Sequence, residues 1–491
     1  MFAEDRGDAS VRGCAVSLAE LFPDARFVGC DDVVATGCQT DPDRCRPGDV
    51  FVARLTGRGD GHELVARAIA RGVAGVVAER MIPTFGTPLC LVPDTAWAVA
   101  RLAHAVAGDP ADTMRMIAIT GTSGKTTTAW LTASVLSEAG LRIGVLSDLG
   151  CLDADSAVPE LVDLGQPRVF AAWLRRLADS GCTHVVVEVS SRMLAEHLLA
   201  GVRCDTVVVT NLATAHLDSH GTAEAYHTIK ARILDSLGDD GCLVFNADDQ
   251  RVVRLAERHG GPRLAVGLTA EADLTAVPVE RSLFAQTVLL QAGGHVAPLA
   301  VSTPVKSFVR DALFAAAVGV RYRIPLERAA RGIEAAGSVS GRMEPIDRGQ
   351  DAAVFLDQPT NGHALATTLA SLRRLTPGRL VLLADEALVL DLDAPGSFVR
   401  RASRWCDETV IVPASVTEES AGDDAIAAYA RIDRLLSSLG RQDCVLVLGA
   451  ALDRHGDPGD PGEPQLSLAM LVDGWLQLAH PPTWGAGRRA A

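Results

Sequence analysis

Lysine is nearly missing from this chain: of its 46 basic residues only Lys125, Lys230 and Lys306 are lysines, and the rest are arginine. Generic positive charge is thus carried by guanidinium, so a surviving lysine is either chance or the mark of a position where a guanidinium cannot do the chemistry. A surplus of positive charge is missing too. With 61 acidic residues, a formal charge of -15 and a pI near 5.3, the chain lacks a general surface for nucleic acid or an anionic membrane, which still leaves room for a small basic pocket. No apolar run reaches bilayer-spanning length, and the opening MFAEDRGDAS has neither the basic start nor the apolar stretch of a signal peptide. The expected location is the cytoplasm, without membrane insertion. The 11 cysteines form no C-x-x-C pair, are odd in number and sit partly in apolar runs. Buried free thiols are expected from that spacing, not a zinc site. No repeat of solenoid length occurs.

What is present is a long, well-patterned α/β chain. At 491 residues, 48% hydrophobic and 22% charged, it exceeds one ordinary core and predicts several folded domains. Residues 1–112 alternate short β-like runs (DVFVARL, GVAGVVAER, PLCLVP) with Ala-rich amphipathic segments, and AGDPADTM supplies a break. From 113 to 343 the β-like runs lengthen (MRMIAIT, RIGVLS, THVVVEVS, DTVVVTNL, GCLVFN) and are separated by helical patterns, the signature of a parallel sheet covered on both faces. A third alternating region, 344–491, contains AAVFLD, RLVLLAD, TVIVPA and DCVLVLG, then a Pro/Gly-rich loop and a loose tail.

The segment IAITGTSGKTTTAW, residues 117–130, places a glycine turn between a strand and a helix. In that geometry backbone N–H groups and a helix N-terminus bind phosphate. Gly121, Thr122, Ser123, Gly124 and Thr127 form the turn and helix start, Lys125 meets the terminal phosphates, and the Thr126 hydroxyl is offered to magnesium. The pattern is a variant, with Ile119 where a strict phosphate loop has glycine. The next strands end on Glu188 and run into ATAHLDSHG, holding His216, Asp218 and His220, and the carboxyl ends of parallel strands are where such sheets bind ligands. Lys230 follows in a helical pattern opened by Gly221 and Thr222, where on composition alone it reads as a surface charge.

These residues resemble the Mur ligases, ATP-dependent amide-bond synthetases of peptidoglycan assembly, and most closely the branch that adds the third amino acid to the UDP-muramyl peptide. The resemblance is carried by DGH (60–62), TGTSGKTT (120–127), EVSS (188–191), TNLATAHLDSHGT (210–222), AYHTIKARI (225–233), NADD (246–249) and GRME (341–344). It implies three domains: one for the UDP-sugar end of the substrate, a central ATPase and a Rossmann-like carboxyl-terminal domain that brings the amino acid. It further implies ATP and Mg2+ as cofactors, with Thr126, Glu188 and His216 at the magnesium site. Lys230 falls on a carbamylated lysine, Arg342 on a nucleotide-binding hinge arginine, and Asp357 on a nucleotide-contacting strand end. The implied catalytic residues are Lys125, Lys230 and His216, the implied partners are a UDP-muramyl peptide or related carboxylate and an amino acid, and the implied state is a monomer.

The chain also departs from the family pattern in concentrated places. DPD (41–43) replaces D-S-R, GQP (165–167) replaces T-T-P, Arg192 replaces a histidine and Leu198 an arginine. Val309 and Ala312 stand where two adenine-site asparagines are expected, DQPTNGHAL keeps only Asp357 of D-Y-A-H-T-P, and ADEALVLDLDAPG replaces a basic glycine-rich stretch. Neither D-N-P-R near IVPASVTEES nor G-K-G-H-E at GAALDRH is present, and Ala215 precedes His216 as in a sister branch. Three readings follow: a Mur-type ligase with its cell-wall substrate, a ligase joining a different acid and amine, or a nucleotide-binding paralogue working as scaffold or regulator.

Overall fold

The computed structural model describes residues 14–56, 59–156, 158–213, 222–392, 395–413, 423–449 and 468–479. His216, Asp218 and His220 lie outside the described residues. Three α/β units follow one another, each organised on its own sheet. In the first, five strands are ordered 26–28, 89–91, 75–78, 49–52 and 37–39, with all neighbours parallel except the first pair. The Ala-rich helix Thr95–Val106 covers this sheet, capped by Asp94, whose carboxylate takes the N–H groups of Ala96 and Trp97.

The central sheet positions the site. Its strands Ile143–Ser147, His184–Glu188, Arg115–Thr120, Cys204–Val209 and Leu237–Asn246 lie side by side in parallel, so the strand leading into the glycine turn is in the middle. Both faces of these apolar runs are buried, one under the helices Lys125–Glu138, Lys306–Arg321 and Leu326–Ala336, the other under Pro167–Asp179. The sheet extends further than its parallel runs predict. Strands Leu274–Arg281, Gln286–Ala292 and His295–Val301 add an antiparallel ladder beyond Arg263–Gly267. Their side chains alternate between core and solvent, with Val288 and Leu290 buried and Val277 and Val279 exposed, a period-two pattern that continuous apolar runs do not signal.

In the third unit, Ala353–Asp357, Cys444–Leu448, Leu380–Asp385 and Glu408–Val412 are parallel neighbours, with Glu344–Pro345 antiparallel at the edge. This doubly covered sheet is the Rossmann-like arrangement expected of the region. The cysteines are free; nine are buried, while Cys14 is exposed and Cys30 half-buried. Among the described residues no helix is long and apolar enough to cross a membrane.

Candidate active site

Strand Arg115–Thr120 ends at the centre of the sheet, and Gly121 turns the chain with φ of +153° before Gly124 starts the helix at +81°. Gly124 is the N-cap and brings no side-chain cap. The first helical amides, Lys125 to Thr127, therefore have no partner inside the helix and form an anion-binding end. A side chain at Gly124 is barred twice, by its left-handed φ and by the Asp311 carboxylate packed against its Cα. Asp311 is buried, and burial pushes its carboxyl well up while Arg310 and the neighbouring Thr128 hydroxyl oppose.

A neighbouring strand end straps the turn. Asn211 Oδ1 accepts the amides of Thr122 and Ser123 at 3.1 and 3.0 Å, and its Nδ2 donates to the Ser123 carbonyl at 2.9 Å. Asn246 Nδ2 in turn donates to the Thr210 carbonyl at 2.7 Å, and Asp249 accepts the Leu212 amide at 2.9 Å, so the NADD segment props the strap. Asn211 stands in the TNLATAHLDSHGT motif, but its side chain has no role until the strand order places it beside the turn.

Glu188 reaches the site because its strand pairs with the central one, Ile119 opposite Glu188. It is 2% exposed, and Lys125 Nζ lies 3.6 Å from its Oε1. Its Oε2 accepts the Asp148 amide at 3.2 Å and Thr126 hydrogen-bonds to the carboxylate, while Oε1 is buried without a hydrogen-bond partner. Burial raises its pKa, against the pull of Lys125.

Lys230 is not a surface charge. It is 2% exposed on the helix Ala223–Ala231, capped by Thr222. Its Nζ donates to Thr120 Oγ1 and to the Gly121 carbonyl, both at 3.0 Å. One turn earlier, Tyr226 presents its ring 5.5 Å from the same nitrogen and its hydroxyl 3.3 Å from Thr122 Oγ1. Burial and the neighbouring Lys125 hold the Lys230 amine well below the ordinary lysine range, despite Glu188 and Asp148. Lys306, the third lysine, is exposed at a helix start and joins no site.

The third unit touches this turn. Thr360 Oγ1 lies 3.4 Å from the Thr122 carbonyl. Arg342 and Asp357 are neighbours at the junction: Arg342 Nη1 donates to the Gln358 carbonyl at 2.6 Å, and the Met343 amide meets Asp357 Oδ1 at 3.3 Å. Asp357 is buried, and burial pushes its carboxyl up to about 6 although Arg342 pulls the other way. The structure thus gathers Gly121, Thr122, Ser123, Gly124, Lys125, Thr126, Glu188 and Lys230 at one place and sets Arg342 and Asp357 at the junction between the central unit and the third.

Comparison with known proteins agrees with this geometry. Residues 119–319 match the family described as Mur ligase middle domain. The UDP-N-acetylmuramoyl-L-alanyl-D-glutamate–2,6-diaminopimelate ligase of Solibacter usitatus is 35% identical over 362 residues, 71% of this chain and 71% of that protein. This chain belongs to the Mur ligase family. The UDP-N-acetylmuramyl-tripeptide synthetase of a Roseiflexus species is 29% identical over 449 residues, covering 84% of this Mur ligase and 86% of that one. A solved diaminopimelate ligase structure superposes with a TM-score of 0.67 at 20% identity over 89% of this chain and 93% of its own. The MurF ligase of Thermotoga maritima in complex with ADP gives 0.58 at 18% identity, covering 84% and 94%. Both show the fold.

Several departures from the family pattern have a structural form. Leu198 is buried in the core beneath the central sheet, and Val309 and Ala312 are buried on the other side of it, so none of the three offers a polar group to a ligand. On the helix that carries Val309 and Ala312, the polar group against the glycine turn is Asp311. Within ADEALVLDLDAPG, residues Glu386–Leu392 form a helix begun by Asp385 at its strand end.

Proposed function

We propose that this Mur ligase is an ATP-dependent carbon–nitrogen ligase that adds an amino acid to a UDP-muramyl peptide or related carboxylate in peptidoglycan precursor synthesis. The observation that carries the reading is the convergence of Lys125, Glu188 and Lys230 on one phosphate turn, two lysines of a chain that otherwise uses arginine. In the reaction a substrate carboxylate oxygen attacks the γ-phosphorus of ATP and ADP leaves. The amine nitrogen then attacks the acyl carbon, phosphate leaves, and the amine gives up a proton as the amide forms. Two anions must approach each other, so charge compensation is the main requirement. Lys125 supplies a point charge at the terminal phosphates, and the helix amides hold the others.

The donors also fit magnesium. Glu188 Oε1 is buried without a hydrogen-bond partner beside the Thr126 hydroxyl, and hard oxygen donors, few in number and completed by substrate phosphate, suit this ion. Bound magnesium would neutralise charge on the triphosphate, with Thr126 and Glu188 holding it and His216 a further proposed ligand. Lys230 suits the carbamate role. A neutral amine has two N–H groups and a lone pair; both N–H groups are used by Thr120 and Gly121, and the lone pair is what adds carbon dioxide, with loss of one proton, to give an anion. Arg342, at the end of the central unit, and Asp357, on the third, are assigned to the nucleotide, and the third unit's Thr360 contact brings it over the turn and favours exclusion of water. We assign residues 1–112 to the UDP-sugar end, 113–343 to ATP and 344–491 to the amine.

A second reading, a ligase with a different acid, is favoured by Leu198, which stands where the family has an arginine, being a core residue. The test is phosphate release from Mg-ATP with UDP-muramyl dipeptide and pooled amino acids, against Lys125→Ala. Release requiring both co-substrates supports the first reading. Release that needs some other acid supports the second, and nucleotide binding without any release points to a paralogue that scaffolds or regulates.

A further inference from the structure

Asp311 is a buried carboxyl, 8% exposed, that forms no ion pair with a described residue. It stands on the helix Lys306–Arg321, against the residue that begins the helix Lys125–Glu138. A Cβ built on Gly124 would collide with its Oδ1 and lie 3.2 Å from its Oδ2. Arg310, its neighbour in the chain, turns instead to Asp248, with Nε 4.0 Å from that carboxylate. Asp248 already accepts the amides of Leu268, Thr269 and Ala270 at 2.8, 3.0 and 2.8 Å.

Charged groups on the other elements packed against this helix are engaged away from Asp311. Lys125 Nζ is 3.6 Å from Glu188 Oε1. Glu138, at the far end of the Lys125–Glu138 helix, takes Arg331 at 3.5 Å and its carbonyl takes Arg328 at 3.0 Å. Glu334 accepts the Ala300 amide at 2.9 Å, and Arg263 and Arg281 donate to the carbonyls of Ala256 and Pro304, both at 3.0 Å.

The start of the Lys125–Glu138 helix is its anion-attracting end, and Gly124 supplies no side chain to cap it. A carboxylate and a phosphate set at that one end repel each other, the more so because water is largely excluded from Asp311. Of the two, the carboxyl is the group that can shed its charge, by taking a proton.

We propose that Asp311 is a proton-dependent gate on the nucleotide site: its ionised carboxylate opposes a triphosphate at the glycine turn, and triphosphate binding is accompanied by uptake of one proton from solvent. This rests on the ATP reading of the turn given above. The one bond formed at Asp311 is the carboxyl O–H. The nucleotide-bound protein then holds this proton more tightly than the empty one. Affinity is full below the titration of the empty protein's carboxyl and falls as pH rises through it, by at most about tenfold per pH unit. Burial raises that carboxyl well above the ordinary aspartate value, which displaces the fall from the acid range toward neutral pH.

The experiment is calorimetric titration of the full chain with magnesium and a non-hydrolysable ATP analogue from pH 6 to pH 9, in two buffers of different ionisation enthalpy. Wild type should lose about 10- to 100-fold in affinity over that range and take up as much as one proton per nucleotide on the falling limb. Asp311→Asn keeps the shape and cannot ionise. It should match wild type near pH 6, bind about tenfold or more tightly than wild type at pH 9, and lose the uptake. Asp311→Leu should give the same flat ratio if the amide disturbs the turn. Titration of the analogue and of other groups is common to all three proteins and cancels between them. Profiles of wild type and both variants that run parallel, equal or offset, would overturn the proposal, since a constant offset is a packing effect. Wild type that takes up no proton at any pH would overturn it without recourse to a variant. If wild type binds no nucleotide at any pH, the ATP reading itself fails and this inference with it.

Discussion

Lys230 Nζ lies 3.0 Å from the Thr120 hydroxyl and 3.0 Å from the Gly121 carbonyl, so a buried amine holds the strand end from which the glycine turn departs. Arginine is a poor replacement, because a guanidinium is larger and stays charged at every working pH, whereas burial favours the uncharged form of the lysine amine. Lys230→Arg should therefore cut turnover by about 100- to 1000-fold or more, the scale of losing one preorganised charge contact. Steady-state phosphate release checks this. Unchanged ATP turnover in Lys230→Arg would remove Lys230 from the reaction.

The glycine turn and most of the parallel strands are legible in the sequence because both are local: a glycine turn between an apolar run and a helix needs only neighbours in the chain. Lys230 is ambiguous there for the opposite reason. Its burial depends on the helix Ala223–Ala231 lying against a strand end about a hundred residues earlier, and in the sequence it shares the pattern of an exposed helix. The Asn211 strap and the Asp311 contact are hidden likewise, since each is created by which strand or helix lies beside the turn. The antiparallel ladder at 274–301 escapes a sequence reading because its alternating runs carry prolines and exposed valines.

Asn211 gives a graded prediction. Asn211→Ala removes the acceptor of two turn amides and the donor to the Ser123 carbonyl, and loss of such contacts costs about 1–3 kcal/mol. ATP affinity should fall about tenfold. Asn211→Asp keeps the acceptor but sets an anion beside the triphosphate, so it should bind more weakly than Asn211→Ala at low salt and regain part of the difference at high salt. Titration calorimetry at two ionic strengths ranks the three proteins, and an aspartate variant that binds as well as wild type would show that the strap does not set the turn.

Lys125 and Glu188 are linked at 3.6 Å inside the protein. Lys125→Ala should abolish the ATP-dependent rise in melting temperature, because the point charge at the phosphates is gone. It also leaves Glu188 buried without its cation, and the carboxyl, already raised by burial, can take a proton to relieve that. The ligand-free melting temperature should therefore change little compared with the lost nucleotide response. A variant that keeps the full ATP shift would place the triphosphate elsewhere.

Gly124→Ala tests the turn itself. The left-handed φ of +81° costs a non-glycine residue about 1–2 kcal/mol, and the new methyl also meets the Asp311 carboxylate. Nucleotide binding should be lost with a fall of several degrees in melting temperature. Adding Asp311→Ala should recover part of the stability, since it removes the clash, but not binding, since the backbone strain at the start of the helix remains. Recovery of both would mean the carboxylate alone was the obstacle.

Asp357 predicts a pH dependence with a definite sign. Burial raises its carboxyl to about 6 from an ordinary aspartate value of 3.8, so the folded protein binds this proton more tightly than the unfolded chain. Stability from the protonated form is then full below about pH 4 and is lost as pH rises through about 6. A rise of that size is worth about 3 kcal/mol. Asparagine keeps the shape and cannot ionise, so Asp357→Asn should match wild type near pH 4 and be the more stable protein at pH 7.5. Melting curves of both proteins from pH 4 to pH 8 measure the gap; one that stays constant, or widens toward acid, would mean that the Asp357 carboxyl is not held protonated by burial.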